Sequence, residues 1–263
     1  MIENCHNPEK VKYFALREFI ERIKLYDSTL EHMEETNQAF DQYMRDLSQC
    51  KIEEVLHYWL SQSYNELVNS NKIENHFVSR EELLRKNVFE KLTNKKITHS
   101  QIDELHLFVQ QDKNAKKEKY RTGPVKVSAI YDNGFEEIFW WGAEAEDVIK
   151  FMNDFLSVYY TNSISVLDSN PFLKSALIHL LFLRIHPYLD GNGRTSRMLQ
   201  SIKLTETINR LYGTDFRLCP INLSESIYIN KHTYVNIIDN IYFDVENDNT
   251  KYINKWFMVN IIF

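Results

Sequence analysis

His186, Asp190, Gly191, Asn192, Gly193, Arg194 and Arg197 fall within one short stretch, HPYLDGNGRTSR, residues 186–197 of a 263-residue chain that has only six glycines. Each residue type brings its own chemistry. An imidazole titrates near neutrality and can accept a proton from a reacting hydroxyl. Two arginines at i, i+3 on a helix lean over the same turn, and glycines beside them let the backbone approach a ligand closely. Arginines over a glycine nest suit a polyphosphate better than a single carboxylate. Asp190 would repel such an anion unless a cation lay between them. Magnesium, which takes one or two carboxylates along with phosphate oxygens, removes the contradiction.

The flanking segments must hold these residues in place. PFLKSALIHLLFLRI, residues 171–185, is apolar nearly all round, which predicts a buried central helix. Pro187 disfavours helical geometry at His186, so the helix should stop there and present the imidazole at its mouth. RTSRMLQSIKLTETINRLY resumes helical spacing, which places Gly191–Gly193 at or just before a helix N-terminus, where unpaired N–H groups and the dipole favour an anion. Taken singly, a His before Pro is an ordinary loop residue, GNG a turn, and the arginines surface ion pairs. Their crowding into one loop after an all-apolar helix favours a site.

The remaining chain reads as mainly helical, with one exception. Helical spacing runs through EKVKYFALREFIERIKLYDSTLEHMEETNQAFDQYM, residues 9–44, and again through Ile52, Val55, Leu56, Trp59 and Leu60. The charged stretch QQDKNAKKEKYR, residues 110–121, predicts a solvated loop. From Val125 to Trp141 an alternating segment, the turn signal YDNG and an aromatic run predict a β-hairpin, whose Phe139, Trp140 and Trp141 cannot all face solvent. The fold class expected is all-α with a small β-hairpin.

Composition narrows the function. The net charge is −6 and the sequence pI is about 5.9, so no basic field would hold nucleic acid. Cys5, Cys50 and Cys219 have no paired spacing, which excludes a disulfide framework or zinc knuckle and suits a reducing, cytoplasmic setting. No run approaches the ~20 apolar residues of a membrane span.

The loop resembles the signature of the Fic family, HxFx(D/E)GNGRxxR, matched at His186, Asp190, Gly191, Asn192, Gly193, Arg194 and Arg197, with Tyr188 where the family usually has Phe. The resemblance implies a mainly helical core and transfer of AMP from ATP to a Ser, Thr or Tyr hydroxyl of a protein. It makes His186 the general base and Asp190 the magnesium ligand. Gly191, Asn192 and Gly193 then line the anion hole, while Arg194 holds the β and γ phosphates and Arg197 meets the γ-phosphate.

Upstream, Ser70, Glu74 and Asn75 are similar to the (S/T)xxxE(G/N) motif by which many Fic proteins inhibit themselves, with Val78–Lys86 resembling its continuation; a plain helix end is the alternative. The resemblance implies that Glu74 pairs with Arg197, whose planar fork can offer a carboxylate two parallel bonds. YRTGPVKV, residues 120–127, resembles the lead-in to the family's flap, so the hairpin would hold a target segment by main-chain pairing. Tyr234 would stack on adenine, unless it is helix core. The expected organisation is an N-terminal helical region of unknown role over 1–60 and a catalytic domain over 61–263, with an inhibitory helix at about 61–76 and the flap at about 125–141. KYINKWFMVNIIF, residues 251–263, ends without a cap, as if the chain continued or docked on a partner. Three rivals remain open at this point: removal of AMP, a different nucleotide donor, and a non-catalytic ATP-sensing module. The oligomeric state, homo-oligomer included, is also open.

Overall fold

The computed structural model describes residues 16–74, 76, 78, 96–110, 119–161, 170–216 and 221–260. In chain order the elements are α1 (Leu16–Glu21), α2 (Asp27–Gln49), α3 (Ile52–Ile73), α4 (His99–Val109), β1 (Lys126–Ile130), β2 (Glu136–Trp141), α5 (Val148–Tyr160), α6 (Pro171–Ile185), α7 (Asn192–Tyr212), α8 (Leu223–Ile229), α9 (Lys231–Glu246) and α10 (Lys251–Asn260). The fold is mainly helical, with one two-stranded sheet among the described residues.

Helix α6 is the axis of the molecule, and every one of its residues is buried. Pro171 opens it with a preset φ, and the Asn170 side chain caps it by accepting from the N–H groups of Phe172 and Leu173. Helices α5, α7 and α10 pack around it. Phe172, Phe182 and Trp256 are fully buried in this core, each worth roughly 1.5–3 kcal/mol of burial. The Trp256 indole N–H donates to Ala176 O at 3.0 Å, so this large ring is buried without an orphaned donor. Helix α7 is less apolar, and its first half, from Arg194 to Ser201, is just as deeply set. Its hydroxyls turn back on the helix, Thr195 to Gly191 O and Ser196 to Gly193 O, which lets polar residues lie inside.

Several expectations need correction. The helical spacing over 9–44 is divided between two helices, α1 and α2, because Asn254 of α10 accepts from Tyr26 N–H and donates to Lys24 O, taking backbone groups that a continuous helix would use; residues 1–15 lie outside the described ones. Helix α3 runs unbroken through the expected boundary at 60/61, so the helix that carries Ser70 reaches back to Ile52. Along its predicted apolar stripe Val55 is buried, but Leu60 is 42% exposed; the side chains of Ile52, Leu56 and Trp59 lie outside the description. The charged stretch 110–121 is not uniformly solvated. Residues 111–118 lie outside the described ones, yet Arg121 is only 5% exposed. No helix among the described residues is long and apolar enough to cross a membrane.

The hairpin spans Lys126 to Trp141, antiparallel, with Lys126 opposite Trp141 and Ile130 opposite Glu136, and an irregularity between Val127 and Ser128. Gly134 supplies the positive φ that the turn requires. Of the three aromatics, Trp140 is buried, with its ring 5.8 Å from the Arg184 guanidinium, while Phe139 and Trp141 are half-buried.

Candidate active site

His186 is the C-cap of α6 and adopts left-handed geometry, φ 53°, with its N–H still bonded to Phe182 O. The next residue, Pro187, forbids another helical turn. The imidazole Nδ1 lies 3.0 Å from Leu183 O. A carbonyl only accepts, so Nδ1 carries the proton and Nε2 keeps its lone pair. Burial, aided by the charges of Arg121 and Arg184 and opposed by the Leu183 bond and by Glu74, lowers the His186 pKa to about 4. At neutral pH the ring is therefore uncharged and able to accept a proton.

The loop that follows is built from its own side chains. Asn192 accepts from Tyr188 N–H and donates to Tyr188 O, at 3.0 and 2.8 Å, closing the loop onto the start of α7. Its carboxamide is used structurally, so what it presents at the helix end is its backbone. The first backbone bond of the α7 ladder is Thr195 N–H to Gly191 O, which leaves the amides of Asn192, Gly193 and Arg194 without an intrahelical acceptor. Two glycines are needed here for different reasons. Gly191 has φ 75°, and a Cβ on it would stand 2.9 Å from Gln110 Nε2. A Cβ on Gly193 would run into Glu74 Oε1.

Helix α4 holds the loop from behind. The His106 ring stacks on Tyr188, with centroids 3.7 Å apart and planes 10° apart, and its Nε2 donates to Asp190 O at 2.8 Å. The Tyr188 hydroxyl donates to Asp103 Oδ1 at 2.7 Å, which satisfies the polar group that a Phe at this position would lack.

Glu74, at the C-cap of α3, lies over this helix end. Its Oε1 accepts from Arg197 Nη2 at 2.6 Å and its Oε2 from Arg194 Nε at 2.8 Å. The expected pairing with Arg197 is present, but not as two parallel bonds from one guanidinium: two arginines each take one carboxylate oxygen. Arg197 spends its remaining fork on α3, with Nε donating to Ser70 Oγ and Nη2 also to Ser70 O, both at 2.8 Å. Arg194 also donates to Val109 O and to Asp190 Oδ2. Asn75 lies outside the described residues, as do 79–95, which cover most of the expected continuation after Val78.

A cleft of about 460 Å³ opens between these elements, lined by His186, Asp190, Gly191, Gly193, Arg197 and Glu74 on the side of the loop. That volume falls within the range of small-molecule sites. Trp140, Leu183, Leu189 and Val235 supply its apolar wall. Arg194 is buried behind Glu74, with its side chain 1% exposed. Asp190 is the opposite, its side chain 71% exposed at the mouth. Among the described residues no group of three His, Cys, Asp or Glu could hold a metal ion. A lone exposed carboxylate beside an anion site is nevertheless the donor set that magnesium uses when phosphate oxygens complete its shell.

Tyr234 lies at the inner wall of the cleft, 5% exposed. Its ring packs tilted against Trp256 and His179, a core environment rather than an open stacking face. His179 Nδ1 faces Gln200 Oε1 at 2.6 Å and must donate to it, so its Nε2 accepts from the Tyr234 hydroxyl at 3.0 Å. Burial lowers the His179 pKa to about 3, which keeps this relay neutral. Sequence reasoning missed Arg121, His106, Asp103 and His179, because each acts through contacts remote in sequence. Only the YRTGPVKV resemblance pointed near one of them.

Comparison with known proteins agrees with this architecture. Residues 96–204 match the model of the Fic/DOC family. Over 80 residues the chain is 28% identical to protein adenylyltransferase fic-1 of Caenorhabditis elegans, a match that covers 30% of this chain and 14% of that protein. A Fic family protein from Desulfovibrio desulfuricans superimposes with a TM-score of 0.64 at 16% identity, over 91% of this chain and 74% of that one. A Fic domain containing signaling protein from Bacteroides thetaiotaomicron does so with a TM-score of 0.57 at 21% identity, over 88% and 90%. The matched segment includes the hairpin and the loop from His186 to Arg197 but not Ser70 or Glu74. The chain thus has the mainly helical Fic fold, and its residues 96–204 are similar to the Fic/DOC family.

Proposed function

We propose that this protein is an autoinhibited adenylyltransferase that moves AMP from ATP to a Ser, Thr or Tyr hydroxyl of a target protein in the cytoplasm. The observation that carries the proposal is Glu74 seated on both Arg194 and Arg197 at the start of α7, in the cleft that also holds His186. A carboxylate already occupies the donors that a nucleotide's terminal phosphates would use. Triphosphate and Glu74 compete for the same guanidinium groups.

With Glu74 displaced, the outward amides of Asn192, Gly193 and Arg194 receive phosphate oxygens at the helix N-terminus. The target hydroxyl oxygen attacks the α-phosphorus, the bond from that phosphorus to the α–β bridging oxygen breaks, and pyrophosphate leaves. His186 Nε2 takes the hydroxyl proton, since Nδ1–H is committed to Leu183 O. Asp190 would hold magnesium, which neutralises phosphate charge when bound. The hairpin's exposed edge would register the target segment by backbone pairing.

The test is label transfer from α-labelled ATP with magnesium into lysate proteins by the Glu74→Gly variant. Labelled bands are expected, and none when His186→Ala is added. Retained labelling in the double variant would contradict the role of His186, and nucleotide binding without any transfer would favour an ATP-sensing module.

One observation favours a second activity. The Glu74 side chain is 24% exposed on the cleft it shares with His186, so it can orient a water toward an AMP–protein bond. Release of AMP from preformed AMP–protein, lost in Glu74→Gly, would establish it.

A further inference from the structure

Arg121 precedes β1, is 5% exposed, and spends its guanidinium on backbone carbonyls of three segments. Nε donates to His186 O at 2.7 Å and Nη1 to Gly123 O at 2.7 Å. Nη2 donates to Ala143 O and, at 3.3 Å, to Ile185 O. Its own N–H donates to Pro187 O at 2.8 Å. The carbonyls of Ile185 and His186 are orphans of the α6 C-terminus, and those of Gly123 and Ala143 flank the two strands of the hairpin at its base. One side chain therefore ties the mouth of α6 to the root of the hairpin.

Gly142 sits in the same joint. Its N–H donates to Val125 O, and Ala143 N–H donates to Ile185 O. A Cβ on Gly142 would stand 2.8 Å from Arg121 Nη2 and 3.0 Å from His186 Cβ, closer than side-chain atoms pack. The hairpin base is thus pressed directly against the histidine, and the left-handed backbone of His186 is pinned by a donor on its own carbonyl.

We propose that Arg121 is a positioning residue that holds His186 and the base of the β1–β2 hairpin as one rigid unit, so that a hydroxyl registered on the hairpin meets the imidazole at a fixed place. This rests on His186 being the base and on the hairpin receiving the target. A planar fork with several donors is required to span these carbonyls at once. A lysine keeps the charge but not the span. The charge has its own effect. The charged groups closest in effect to His186 are Arg121 before β1, Arg184 on α6 and Glu74 at the end of α3, and the cleft it lines also holds Lys126 of β1, Asp190 of the loop, Arg197 of α7 and Lys231 of α9. Removal of Arg121 takes away a cation and admits water, and both changes raise the histidine pKa.

The test uses the full chain and two independent readouts. First, the His186 imidazole is titrated by NMR in the parent, Arg121→Met and Arg121→Lys. The parent is expected well below the ordinary 6.5, the Met variant shifted upward, and the Lys variant close to the parent. Second, in the Glu74→Gly background, Arg121→Met is expected to lower kcat for label transfer by about 100-fold, the cost of a slight misplacement of a reacting group, with ATP affinity unchanged. Arg121→Lys should restore the titration but not kcat. Should the Met variant not fold, Gly142→Ala replaces it for the rate measurement, with the same loss of kcat expected. An unshifted His186 titration in Arg121→Met, or a kcat that either Arg121→Met or Gly142→Ala leaves intact, overturns the proposal. Failure of the adenylyl-transfer function would look different: no labelling by Glu74→Gly itself, with the titration contrast between the Arg121 variants still deciding the positioning role.

Discussion

Glu74 and Arg197 are 123 residues apart in sequence, and their Oε1 and Nη2 atoms are 2.6 Å apart. The contact crosses from the end of α3 to the first turns of α7 and is flanked by a second one, Glu74 to Arg194. A carboxylate held by two buried guanidinium groups at a helix N-terminus occupies a phosphate site. It also explains Gly193, since any side chain there would collide with Glu74. The glycine and the inhibitor are fitted to each other.

Asp190→Asn keeps the size and one oxygen but removes the charge that draws a cation into the cleft. The variant is expected to need more magnesium for half-maximal label transfer and to recover partly when magnesium is raised. A magnesium dependence identical to the parent's would remove Asp190 as the ligand.

Glu66 lies two turns before Glu74 on α3, buried, and accepts from Ser224 N–H at 2.6 Å and from the Ser224 hydroxyl, with Ser201 nearby. It caps α8 from another helix and so fastens α3 to the core. Burial raises its pKa above 4.5 despite these bonds. The folded state therefore keeps a proton that the unfolded chain has released. That favours folding at low pH, and the advantage is lost as pH rises from 4.5 through the folded value. Glu66→Gln does not titrate, so denaturant melts should find it gaining stability relative to the parent across this window, by at most about 1.4 kcal/mol per pH unit. A pH-independent difference would contradict the account.

Tyr188→Phe removes the bond to Asp103 and keeps the ring stacked on His106. Stability is expected to fall by roughly 1 kcal/mol, with kcat nearly unchanged, because the loop is still closed by Asn192. A large loss of kcat would mean that the Asp103 contact positions Asp190 or His186.

Much of this site is legible in the order of its residues. The stop of α6 at His186 follows from Pro187, and the helix restart follows from the spacing after Gly193. The hairpin follows from alternation and YDNG. What is not legible depends on tertiary partners. Arg121 sits in a run of charges and looks solvated, but backbone carbonyls that only folding assembles draw it inside. Glu66 has the same look of a surface acid on a helix, and its partner is 158 residues away. Tyr234 has the type and place of a base-stacking residue, yet His179, whose role is invisible in an apolar helix, holds it in the core. The split of the N-terminal helix at 22–26 is likewise imposed by Asn254.

The central claim is that Glu74 silences the site by holding the arginines that the nucleotide needs. Its most direct test is the initial rate of autolabelling from α-labelled ATP by the parent, Glu74→Gly, Arg197→Ala and the double variant, over several ATP and magnesium concentrations. Charge-assisted bonds are worth roughly 1.5–3 kcal/mol each, so Glu74→Gly should label about tenfold faster or more. Arg197→Ala should not gain, and the double variant should stay well below Glu74→Gly, because the nucleotide still lacks Arg197 once the inhibitor is gone. A Glu74→Gly rate no higher than the parent's, or a double variant as active as Glu74→Gly, would contradict the account.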